Sequence, residues 1–368
     1  MRYSAVDAIT PAFEHTKRQL VQPFRFGQWV RLALVGLLAG ELSSGGGCNV
    51  PNPSSFSNIP RHGGGGHGLW PGMGDPALIA GLIAIVVVTA IILMVAFMYI
   101  SSVMRFILFD SVVAKECHIR EGWSRRQGQG WRYFLWKLGY ALLTFGVLIV
   151  LVGIPAGFAF AMGWFNNASQ HVLPLVLGGI ALFFVVMVFT IAMTVIFVLT
   201  KDFVVPQMAL ENIGTMEGWR RLWAMIKAEK GGYAGYVGMK IVLAMGAAIL
   251  LGIAGAILMV IFLIPVVGVA VGAVLAGKAA GLGWTAGTIT LAVVAGCVLL
   301  ALFLFLSALI SVPAIVFFPA YSVYFFAGRY PALSAVLYPA PPAPVIPPVA
   351  TPPPYEPPPL PPTPEPIG

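Results

Sequence analysis

Six stretches of this chain are almost wholly apolar, near residues 28–42, 77–100, 138–160, 174–200, 241–263 and 289–312. A helix needs about 20 such residues to cross a hydrocarbon core of about 30 Å. It also satisfies its own backbone, which lipid cannot do. Charged residues make up 9% of the 368 and the mean hydropathy is +0.90, against roughly 25% charged in ordinary globular domains. Water could not solvate a surface drawn from that composition. The expected fold is therefore an all-α integral membrane protein with about six transmembrane helices and interfacial amphipathic helices.

Two matching elbows organise the runs. The first reads Phe109-Asp110-Ser111-Val112-Val113 and then Glu121-Gly122-Trp123-Ser124-Arg125-Arg126. The second reads Lys201-Asp202-Phe203-Val204-Val205 and then Glu217-Gly218-Trp219-Arg220-Arg221. Each outward run opens alike, as in Trp136-Lys137-Leu138 and Met239-Lys240-Ile241. This gives parallel helix-hairpin repeats, with spans two-three and four-five as copies and spans six and one as a split third.

Charge sets the orientation. Residues 1–31, 101–140 and 201–240 hold 18 of the 21 Lys and Arg, and basic residues stay on the cytoplasmic side. That rule puts both elbows, the N-terminus and the tail in the cytoplasm of a bacterial inner membrane. Without a soluble nucleic-acid module, the net charge of +8 points to lipid headgroups rather than nucleic acid. The three cysteines (Cys48, Cys117 and Cys297) are too dispersed for a disulfide framework, and no cleavable signal peptide is expected.

Segment by segment, residues 1–22 form an N-terminal interfacial stretch, with Ala5 to Leu20 as a surface helix. The transmembrane domain covers 23–330. Its first run is short and carries Arg31, so it either spans with Arg31 snorkelling or inserts halfway. A Gly-rich extracytoplasmic loop occupies 43–76; its His62 and His67 lack a third ligand, so no metal site is expected. Trp131, Tyr133 and Trp136 read as an aromatic belt. Trp219, Leu222, Trp223 and Ile226 recur at helical spacing, as in an interfacial helix with its apolar face in the acyl boundary. Ala248, Gly252 and Ala256 suit close helix contact. Pro265 should end the fifth span, leaving 266–285 as a re-entrant half-helix. The aromatic stretch Tyr321 to Phe326 should lie at the interface. Residues 331–368 form a Pro-rich cytoplasmic tail, disordered in expectation and open to partner proteins.

The elbow-plus-span pattern, with Asp-Phe-Val-Val-Pro at 202–206 and Glu-Gly-Trp-Arg-Arg at 217–221, resembles uncharacterised bacterial polytopic membrane proteins. These are similar to the membrane domain attached to some glycerophosphodiester phosphodiesterases. The catalytic part of those enzymes has no counterpart here, so the resemblance carries over no catalytic residue and no cofactor.

Two sets of residues stand out. Asp110 and Asp202 lie at the foot of apolar runs, where a carboxylate could hold a cation, relay protons or pair with Arg105, Lys201 or Arg31. Trp123, Arg125, Arg126, Trp219, Arg220 and Arg221 are placed to hold anionic headgroups. No phosphate-cradling loop, nucleophile elbow or zinc signature occurs. The expected function is a non-enzymatic membrane component that works through its elbows and tail on lipid or partner proteins. The alternative is a transporter for a small solute or lipid-like cargo, although Ser, Thr, Asn and charges are scarce in the spans.

Overall fold

The computed structural model describes residues 4–22, 24–41, 76–164, 170–279 and 286–338. Residues 43–75 of the Gly-rich loop, 339–368 of the Pro-rich tail and the turn at 165–169 lie outside them, whereas the start of the expected disordered tail is a helix, Pro331–Leu337. In chain order the elements are α1 (Ile9–Leu20), α2 (Phe26–Ala39), α3 (Pro76–Ala114), α4 (Ile119–Ala161) and α5 (Val172–Leu199). A five-residue π-helical turn (Thr200–Val204) leads into α6 (Val205–Glu211), α7 (Thr215–Ala228), α8 (Lys230–Ala279), α9 (Ala286–Ala327) and α10 (Pro331–Leu337). No strand occurs among the described residues. Helices α3, α4, α5, α8 and α9 are long and apolar enough to cross a membrane.

The five long helices share a division into two ends. At one end they pack tightly, and Val103, Phe106, Ile107, Phe203, Val204, Tyr236, Phe325 and Phe326 are all buried. Towards the other end their side chains are bare: Ile85, Leu142, Phe160, Ile180, Leu250 and Leu291 are all exposed. These outer parts are apolar on every side, so no single face directs them onto a neighbour, and lipid can supply the contacts that protein does not. The packed end is different because small residues let backbones approach. A Cβ on Gly130 would meet Val103 Cγ2 at 2.5 Å, which seats α4 on α3. One on Gly36 would meet Ile315 at 2.6 Å, which seats α2 on α9.

Several sequence expectations change here. The first apolar run forms the 14-residue α2, about 21 Å long at helical rise and short of a hydrocarbon core. It packs on α9 and beside Ser101 of α3 at the packed end. Pro265 does not end the fifth span: α8 runs through it in a helix of 50 residues, which takes in the described part of the expected half-helix. Likewise α9 continues through Pro313 and Pro319, and Tyr321, Phe325 and Phe326 enter the core instead of lying at an interface. Proline removes one backbone donor and kinks a helix, which apolar helices accommodate better than short soluble ones. Tyr133 leaves the expected belt for the core, edge-on to Phe106. The stripe at Gly252 makes no close contact, since nothing lies within 4 Å of a Cβ built there.

A cationic socket at the end of the short helix

Where α2 stops, its chain turns through Gly40, whose φ of 78° is one that side chains with a Cβ rarely adopt. The turn delivers Glu41 into the packed end, where it is buried. Glu41 pairs with Arg105 of α3 through one carboxylate oxygen and with Lys201 of the π-helical turn through the other. Arg105 and Lys201 are themselves buried. Arg105 also donates to the Ala39 carbonyl at 3.3 Å, and Ser101 Oγ donates to the same oxygen at 3.3 Å. Lys137 of α4 donates to Ser101 Oγ at 3.1 Å. The negative end of the α2 dipole and one carboxylate thus meet cations from three other segments.

Asp202 adjoins this socket. It is buried, accepts from Tyr236 at 2.9 Å and pairs with Lys240, both of α8. A cavity of about 20 Å³ lies beside it, lined by Arg105, Lys201, Ser322 and apolar neighbours. That is room for about one water molecule. The π-helical turn adds one residue to the helical register at this level and carries Lys201 and Asp202 side by side.

Asp110 is elsewhere. It takes a bidentate pair from Arg126, 2.7 Å from Nε and 2.7 Å from Nη2, while Nη1 of the same arginine reaches the Ala209 carbonyl at 2.7 Å. The fork fixes α3, α4 and α6 together. The two aspartates are thus not brought to one site, and neither pairs with the cations expected for it: Arg105 and Lys201 go to Glu41.

The proposed headgroup contacts divide. Arg126 is buried in its pair with Asp110 and cannot reach a headgroup. Trp123 is half-buried, edge-on to Tyr99. Trp219 packs inward and donates to Thr200 Oγ1 at 3.0 Å. With Leu222 and Ile226 it forms the inner face of α7, so that face meets protein rather than acyl chains. Trp223 alone of that set is exposed, with Lys227 Nζ 5.7 Å above its ring. Arg221 bonds Glu211 and Glu217, and its hydrogen bond holds the Glu217 carboxyl below the usual carboxylate range. Arg125 and the outer part of Arg220 face outward, the latter 2.8 Å from Glu217.

Sequence reading passed over Glu41, Arg105 and Lys201 as a unit. A signal was present: Arg105 stands 16 residues before Glu121, and Lys201 stands 16 before Glu217. Aligning the elbows on their aspartates, which differ by four residues in that spacing, hid this match.

Fold and site together define an all-α, multi-pass membrane protein with a charged, packed end. The chain belongs to a family of unknown function (DUF7544), matched over residues 3–336. No curated protein and no solved structure matches it, and the family match brings no link to phosphodiesterase membrane domains.

Proposed function

We propose that the protein is a non-enzymatic component of a bacterial inner membrane, with its packed end on the cytoplasmic side, and that this end engages anionic lipid headgroups. One observation carries the reading: the exposed cations collect at the end where the long helices are packed, whereas their opposite ends are bare and apolar. Arg125, Arg220 and Lys227 point outward there, and Lys227 lies over the ring of the exposed Trp223. Cations near a lipid surface contribute on the order of 1 kcal/mol each, screened by salt. The Pro-rich tail is a second means of contact, with partner proteins. Transport has less support, because the cavity beside Asp202 holds about one water and Asp110 is engaged elsewhere.

The test is lipid analysis of the full chain purified in mild detergent. Anionic lipid should be enriched over zwitterionic lipid. The triple variant Arg125→Gln, Arg220→Gln, Lys227→Gln should lose most of that enrichment. Equal enrichment in the triple variant would contradict the reading.

A further inference from the structure

Among the described residues, the charges in the socket do not balance. Arg105, Lys137, Lys201 and Lys240 converge on it and act on one another, and the carboxylates among the described residues there are Glu41 and Asp202. Four cations face two anions. The end of the α2 dipole offsets about half a charge more. Glu41 serves Arg105 and Lys201, and Asp202 serves Lys240. Lys137 is the cation without a carboxylate: its ammonium donates to Ser101 Oγ, and no carboxylate among the described residues pairs with it. A charge in a low-dielectric setting needs a counter-ion or costs several kcal/mol.

Where Lys137 sits says which counter-ion could reach it. It is half-buried, at the point on α4 where the packed end gives way to the bare apolar stretch. On the same side of α4, Ala141 one turn on and Phe145 a turn beyond it are exposed. Tyr140 walls one side, stacked on Trp136 and Phe197 and bonded to the Met193 carbonyl of α5. A ligand at Lys137 therefore meets an ammonium at one end and an uncovered apolar helix surface at the other. We propose that this place binds the phosphate group of an anionic phospholipid from the surrounding bilayer, its oxygens on Lys137 and its acyl chains along α4. A phosphate supplies both the missing charge and acceptors for the two ammonium donors that Ser101 does not take. This site is separate from the outward-facing elbow cations, so either can fail without the other.

The experiment uses the full chain in mild detergent, followed by native mass spectrometry and thermal unfolding. Phosphatidylglycerol, phosphatidylcholine and inorganic phosphate are added in turn. We expect one phosphatidylglycerol to stay bound at a salt concentration that strips lipid from the elbows, with phosphatidylcholine and inorganic phosphate binding far more weakly. Lys137→Gln should weaken that binding at least about fivefold, the equivalent of one cation–phosphate contact. Lys137→Arg should retain it, which separates a charge requirement from a packing defect. Arg125→Gln should leave the salt-resistant lipid in place. Unchanged binding in Lys137→Gln would overturn the proposal. So would equal binding of phosphatidylcholine, or inorganic phosphate binding alone through Lys137, which would identify a free anion as the ligand.

Discussion

Glu41 is the residue on which the packed end depends most, because it is one buried carboxylate shared by two buried cations. Removing the carboxylate strands both, and breaking a buried pair costs about 3–5 kcal/mol. Glu41→Gln should therefore lower the unfolding midpoint in detergent far more than Lys201→Met, which still leaves Glu41 with Arg105. Thermal unfolding of the two variants side by side checks the order, and a larger loss in Lys201→Met would contradict it. His15 gives a pH signature. It is buried on the inner face of α1, with Nδ1 3.1 Å from the Tyr324 hydroxyl. Burial, then the nearby positive charge of Lys115, hold its pKa below the ordinary 6.5. The unfolded chain thus binds a proton more readily than the folded one, so stability rises with pH wherever the two differ. Stability should be flat above about pH 6.5, fall as the pH drops below it, and level off once the folded imidazole is also protonated. His15→Gln should remove that part of the slope, read by chemical denaturation between pH 5 and 8.

At the scale of the element, close helix contact is confined to the packed end, and two glycines of α4 test this within one helix. Gly130→Leu places a side chain against Val103 and should cost about 1–3 kcal/mol as overpacking. Gly139→Leu enters open space and should be close to neutral in thermal unfolding. The long apolar helices were legible in the sequence because composition alone dictates them, and the second, fourth and fifth runs fall largely within α3, α5 and α8. Their ends were not. Pro265 read as a stop under a rule that holds for helices in water, yet it sits inside α8, as Pro313 and Pro319 sit inside α9. The α7 stripe was read correctly as amphipathic and assigned to the wrong partner, because a helical period shows which face is apolar but not whether protein or lipid covers it. Asp110 and Asp202 were found as carboxylates at helix feet. Their partners Arg126 and Lys240 lie 16 and 38 residues away and depend on how the elbows close, which spacing alone does not give. Glu41 was invisible for a similar reason: only the end of α2 beside α3, with Gly40 turning the chain, makes its neighbourhood charged.

The whole molecule is a packed, charged end from which five apolar helices extend, and everything proposed for it assumes that a bilayer surrounds those helices. The direct measurement is site-specific labelling with a membrane-impermeant maleimide in sealed vesicles of known orientation. Single cysteines at Arg125, Arg220 and Gln170, all exposed side chains, would be introduced after replacing Cys48, Cys117 and Cys297 with serine. Arg125→Cys and Arg220→Cys lie at the packed end, and Gln170→Cys lies at the opposite end, between α4 and α5. The account predicts labelling of the first two from the cytoplasmic face only and of the third from the other face only. Labelling of all three from one face would mean that α4 and α5 do not cross, and would contradict it.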